Sequence, residues 1–272
     1  MKIGCCMPGN FTLPDSAFPE LGETLRALVD GSRFLREAGY DYLEFNVPAL
    51  VNLSDADMAQ AEALRAKGLL CLEACNGFIP GTIPLTGPDR DPAQIRAYLE
   101  KALSRLGRLG VEVVVFGSGG ARRIPDGFDR ETALAQLDEV FRTAEAIARE
   151  NGVTIVIEPL NRNETNCIPT VTEGAAIVRR LNLPNLKLLG DAYHMYVEGE
   201  DPAVLSDNRD ILRHVHVAEP VNRTVPVDCP YLRQVSKALR ESGYTGRVSI
   251  EGRLTDLPRE VREAQALMRD LF

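Results

Sequence analysis

Val153-Thr154-Ile155-Val156-Ile157-Glu158-Pro159-Leu160-Asn161-Arg162-Asn163-Glu164 opens as a β-branched run and ends on a carboxylate, a proline and a polar loop. Such a run reads as a strand buried on both faces, as parallel strands are. Burying a carboxylate at its end is costly unless something charged meets it. Three later segments repeat the arrangement: Leu186-Lys187-Leu188-Leu189-Gly190-Asp191, Leu212-Arg213-His214-Val215-His216 and Arg247-Val248-Ser249-Ile250-Glu251. Four strand ends therefore offer Glu, Asp, His and Glu.

The same grammar extends outward along the chain. Gly39, Gly68, Gly110, Gly152 and Gly243 each close a helical pattern and are followed at once by an apolar run. Glycine just past a helix supplies the left-handed residue that ends it. Helix starts agree: Asp91-Pro92, Asp129, Thr172-Glu173, Asp201-Pro202 and Leu257-Pro258 each precede apolar residues spaced by three and four. Strands are expected at 2–7, 40–46, 69–75, 111–116, 153–158, 186–191, 212–217 and 247–251. Eight β/α units in a chain of 272 residues predict an α/β fold, one (β/α)₈ barrel domain over residues 1–272. A doubly wound open sheet is the alternative. Long loops, from Asn76 to Asp91 and from Gly117 to Asp129, would then lie on the face where substrates bind.

Composition narrows the partners. Formal net charge is −8, which repels a phosphate backbone and disfavours nucleic acid. No run approaches the roughly 20 apolar residues of a membrane span. The apolar run before Pro8 is too short for a signal peptide, so the expected location is cytoplasmic. The six cysteines, Cys5, Cys6, Cys71, Cys75, Cys167 and Cys229, contain no C-x-x-C pair and read as free thiols.

In a barrel, strands 5 to 8 are neighbours, so Glu158, Asp191, His216 and Glu251 can converge. Two Glu, one Asp and one His suit one divalent ion such as Mn²⁺, Mg²⁺ or Co²⁺, with Zn²⁺ also accommodated. Three carboxylates crowded without a cation would repel strongly. His214, two residues before His216, points the same way one layer deeper, as a hydrogen-bonded core histidine. Glu44 and Glu73, near the ends of strands 2 and 3, are expected to pair with arginines; facing the same cavity is the alternative. Gly117-Ser118-Gly119-Gly120 reads as a flexible rim turn, since no Gly-Lys-Ser/Thr follows to make a P-loop. His194 is expected in a loop. Phe11, Phe78 and Ile79 are apolar residues available to a pocket wall.

The segments Glu158-Pro159-Leu160-Asn161-Arg162-Asn163-Glu164, Asp191-Ala192-Tyr193-His194-Met195, His214-Val215-His216-Val217-Ala218-Glu219 and Ser249-Ile250-Glu251 resemble the motifs of the xylose-isomerase-like barrel superfamily, in its sugar epimerase/isomerase branch typified by D-tagatose 3-epimerase. The resemblance implies that Glu158, Asp191, His216 and Glu251 bind one divalent metal, commonly Mn²⁺. It implies that Glu158 and Glu251 are the acid/base pair, and that Glu164, His194 and Arg223 contact a small sugar or polyol substrate. Related barrels often form dimers or tetramers. The chain departs from the pattern after His216: relatives often carry an Arg followed by Pro-Gly-rich residues. Here the loop reads Asn222-Arg223-Thr224-Val225-Pro226-Val227, with Arg223 one residue further on.

A metal beside a carbonyl stabilises the enediolate that forms when an α-proton leaves. Two carboxylates can take and return that proton. Return to the opposite face is epimerisation, return to the adjacent carbon is aldose–ketose isomerisation, and loss of a β-hydroxyl is dehydration, as in a keto-inositol dehydratase. The residue types do not choose among these, and a non-catalytic sugar-binding barrel is a further alternative. A multi-zinc DNA-repair endonuclease of the same superfamily needs more histidines than the three present.

Overall fold

The computed structural model describes all 272 residues. In chain order the elements are β1 (Lys2–Met7), α1 (Glu23–Glu37), β2 (Tyr42–Asn46), α2 (Val47–Val51), α3 (Asp55–Ala66), β3 (Leu72–Asn76), α4 (Pro92–Arg108), β4 (Val113–Phe116) and α5 (Arg130–Glu150). The second half continues with β5 (Thr154–Ile157), α6 (Val171–Leu181), β6 (Leu186–Asp191), α7 (Ala192–Glu198), α8 (Ala203–Asp207), β7 (Leu212–Val217), α9 (Pro230–Glu241), β8 (Arg247–Ile250) and α10 (Leu257–Leu271). The eight strands pair in sequence order, all parallel, and β1 pairs with β8 to close the barrel. The open-sheet alternative is thereby excluded. No helix is long and apolar enough to cross a membrane.

Several strands begin two or three residues later than their apolar runs. The helix endings account for this. After each closing glycine, the next residue's N–H turns back to the helix it has just left: Tyr40 to the Leu35 carbonyl, Leu69 to Leu64, Val111 to Leu106, Val153 to Ala148 and Tyr244 to Leu239. The five glycines have φ between +68° and +84°, as this helix ending requires. The first apolar residue thus belongs to the cap, and the ladder starts after it. Two short helices, α2 and α7, begin directly from strand ends and were not foreseen; α3, which follows α2, is the helix that Gly68 was expected to close. α6 starts earlier than expected, capped by Thr170 rather than Thr172.

Alternation along the strands sorts side chains into two sets. Leu43, Phe45, Val114, Phe116, Ile155, Ile157, Leu188, Val215, Val248 and Ile250 face outward into the main core beneath the helices. Phe11, Phe78 and Ile79 belong to that core too; Phe11 packs on Phe34 and Phe78 on Phe116, so packing is their observed role. Tyr42, Ala74, Val113, Val115, Val156 and Leu189 fill the barrel interior. The same inward parity on β2, β5, β6, β7 and β8 delivers Glu44, Glu158, Asp191, His214 with His216, and Glu251 above that plug. Gly4 on β1 leaves the space that the Tyr42 ring occupies.

Candidate metal and proton-transfer site

Glu158, Asp191, His216 and Glu251 each place a ligand atom within 4.8 Å of the others. The centre of this set is His216 Nδ1. It lies 3.1 Å from Glu158 Oε1, 3.4 Å from Glu251 Oε2 and 3.9 Å from Asp191 Oδ2. Asp191 and His216 are register partners on adjacent strands, which is why residues 25 apart in sequence meet. Asp191 also caps α7: its Oδ1 accepts the His194 N–H at 2.9 Å. One carboxylate oxygen therefore starts a helix while the other faces the cluster.

Glu44 holds the imidazole from below. Its Oε1 meets His216 Nε2 at 3.0 Å and its Oε2 meets His214 Nε2 at 2.8 Å. Ser249 donates to the same Oε2 at 2.6 Å, and Tyr42 OH joins Ser249 Oγ at 2.6 Å. Glu44 thus pairs with two histidines and no arginine, against the sequence expectation. An inward-facing position on β2 sits under β7 across the barrel, a relation that strand-by-strand reading does not reveal. The parity shared with Tyr42 was the available signal. Glu73 behaves as expected, pairing with Arg247 at 2.6 Å and Lys2 at 2.8 Å at the opposite end of the barrel. His214 is the buried, hydrogen-bonded histidine expected one layer below His216.

Electrostatics follow from this crowding. Burial, and next the Glu251 charge, raise the Glu158 pKa above its ordinary value. The same two causes push Asp191 up to about 6. Glu251 goes the other way: against its burial, His216 and then Arg223 lower it to about 2. Burial alone would lower the pKa of His216, but Glu44 and then Glu251 raise it well above the ordinary value. The surroundings thus favour a cation at Nδ1, and a proton and a metal ion would compete for that position. With Nε2 taken by a carboxylate, Nδ1 is the nitrogen left for a ligand bond, in the carboxylate–histidine–metal pattern. Three oxygen donors and one nitrogen fit a divalent ion on chemistry.

The substrate-contact candidates gather at the rim. Arg223 reaches Glu251 Oε2 at 2.7 Å and Glu164 Oε1 at 3.1 Å, with its guanidinium 5.0 Å from the centre of the Tyr193 ring. Its backbone is left-handed at φ 56°. That turn brings the side chain back to the cluster despite the extra residue in the loop. His194 lies in α7 rather than in a loop and is 1% exposed. Its Nδ1 receives the Asn161 backbone N–H at 3.2 Å and lies 2.7 Å from Asn161 Nδ2, while Nε2 is buried without a partner. Asn161 was missed as a site residue, because a polar loop residue carries no orientation in sequence.

The turn after β4 has a defined task. Gly117 packs so closely on Glu158 that a methyl there would overlap Oε2. Ser118, at φ 45°, accepts the Ile79 N–H at 3.0 Å, and Leu85 N–H meets the Ala121 carbonyl at 2.8 Å. The two long loops therefore brace one another, so this is a fixed turn.

Comparison with known proteins finds relatives along the whole chain. The 3-dehydro-D-guloside 4-epimerase of Escherichia coli (strain K12) is 29% identical over 283 residues, covering 99% of each chain. The ketose 3-epimerase of Arthrobacter globiformis is 28% identical, over 92% of this chain and 83% of its own. Among solved structures, D-psicose 3-epimerase from Clostridium cellulolyticum H10 with D-tagatose superposes with a TM-score of 0.82 at 21% identity, covering 100% of this chain and 99% of its own. The family model described as xylose isomerase-like TIM barrel matches residues 32–271, and the chain belongs to that family.

Proposed function

We propose that this chain is an isomerase that epimerises a keto-sugar by divalent-metal-assisted proton transfer. The observation that carries the reading is the placement of Glu158 and Glu251 on the same imidazole nitrogen, His216 Nδ1, at 3.1 and 3.4 Å. Glu158, Asp191, His216 and Glu251 are the proposed ligands of one ion, with Mn²⁺ the expected metal. When bound, that ion supplies Lewis-acid charge for the oxygen from which an enediolate develops. Glu158 and Glu251 are the proposed acid and base. Without the ion their surroundings differ: burial and then Glu251 raise the Glu158 pKa, whereas His216 and Arg223 lower that of Glu251 against its burial. Glu164, His194 and Arg223 are the proposed contacts to substrate hydroxyl and carbonyl oxygens.

The names of the relatives support the substrate class: a 3-dehydro-guloside for one and ketoses for another. Residues 1–272 act as one domain in this reading, and six free thiols fit a reducing compartment such as the cytoplasm. The test is incubation of Mn²⁺-loaded protein in D₂O with a panel of free ketoses and 3-keto-glycosides, followed by NMR. Deuterium at a carbon next to the carbonyl, with inverted configuration, is the expected result. Loss of water would identify a dehydratase instead. Sugar binding without exchange would identify a non-catalytic barrel.

A further inference from the structure

Asn161 takes no part in the proposed ligand set or proton transfer, yet it is 1% exposed and polar. Its surroundings are fully specified. Its Oδ1 accepts the Asn163 N–H at 3.0 Å, which turns its Nδ2 toward His194 Nδ1, 2.7 Å away. Its backbone N–H also points at His194 Nδ1, at 3.2 Å. A backbone amide is only a donor, so Nδ1 is an acceptor whichever way the side-chain amide is turned. Both donors therefore demand an imidazole with a bare Nδ1.

The remaining nitrogen, Nε2, is buried and has no partner in the protein. The charged groups acting on its ring are Glu158, Arg223, Glu164 and Glu251, all members of the site. The loop bearing Asn161 is tied a second time to the same helix, where Arg162 N–H donates to Glu198 Oε1 at 2.7 Å. Asn161 and His194 are thus held in register from both ends of α7.

We propose that Asn161 is a positioning residue: it locks His194 in the tautomer with its proton on Nε2, so that the site presents a neutral N–H donor to a keto or hydroxyl oxygen of the substrate. The inference deepens the epimerase reading and rests on it for the identity of the acceptor. It carries a specificity consequence. A fixed donor rewards a carbonyl or hydroxyl oxygen and gives no bond to a group that can only donate, such as an ammonium.

The tautomer can be read without substrate. The chain has three histidines, so long-range ¹H–¹⁵N correlation spectra of ¹⁵N-histidine-labelled, Mg²⁺-loaded protein resolve each ring. His194, assigned by its loss in a His194→Gln variant, is expected to show a bare Nδ1 and a protonated Nε2. Asn161→Asp is nearly isosteric but replaces the donor with an acceptor. Its charge-assisted bond is expected to outweigh the backbone N–H and put a proton on Nδ1, without loss of Mg²⁺ affinity. On the keto-sugar that exchanges deuterium, it is expected to lower kcat/KM by about 10- to 100-fold, the effect of a lost buried hydrogen bond. A wild-type His194 protonated on Nδ1 would overturn the proposal, as would an Asn161→Asp protein whose Nδ1 stays bare. Should no sugar exchange, the epimerase reading fails, while the tautomer measurement still decides the role of Asn161.

Discussion

At the scale of single residues, each polar group around His216 has a separable task. Glu158→Gln and Glu251→Gln keep shape but remove a proton acceptor, so each is expected to lower solvent-deuterium exchange by about 10²- to 10⁴-fold. Full exchange in either variant would refute the two-carboxylate assignment. Glu44 touches no proposed reacting atom; it orients His216 through Nε2. Glu44→Gln is expected to weaken metal affinity by about 10- to 100-fold, read by competitive metal titration. Of these residues, Glu158, Asp191, His216 and Glu251 were legible in sequence because each ends an apolar run. Glu44 was misread as an arginine partner, because its partners His214 and His216 lie 170 or more residues away on a strand across the barrel.

At the scale of elements, the β4–α5 turn decides where the Glu158 carboxylate sits. Gly117→Ala is expected to push that carboxylate aside. The expected stability cost is about 1–3 kcal/mol, with deuterium exchange lost more severely than fold. Circular dichroism melting alongside the exchange assay separates the two; unchanged exchange would show that the contact is slack. Element boundaries were legible only in part. The Gly-apolar junctions marked five helix ends, yet the first apolar residue after each glycine proved to finish the cap. Helix α7 was hidden because Asp191 serves both as strand end and as N-cap, two roles that compete for one sequence signal. His194 was consequently expected in a loop, and its burial was not foreseen.

At the scale of the whole molecule, the barrel concentrates three carboxylates where eight strand ends meet, and its stability should record that. Asp191 has its pKa raised from 3.8 to about 6, so between those values the native state holds a proton that the unfolded chain has released. Stability of the chelated protein is therefore expected to fall as pH rises from about 4 to 6, and Asp191 alone accounts for about 3 kcal/mol over that span. Glu158, also raised, adds to the fall above its ordinary pKa, and His216, raised well above 6.5, extends it to higher pH. Glu251, lowered to about 2, contributes the opposite slope, but below about pH 4.5. Adding Mn²⁺ should reverse the fall, because the ion stabilises the ionised forms; thermal melts across pH with and without EDTA check this. The (β/α)₈ architecture itself was legible, since eight repeats of one grammar leave few other closures. If the four strand ends make one metal site, an anomalous-difference map of Mn²⁺-soaked crystals will show it. A single strong peak in contact with Glu158, Asp191, His216 Nδ1 and Glu251 is expected. No peak there, or a peak bound elsewhere without His216, would contradict it.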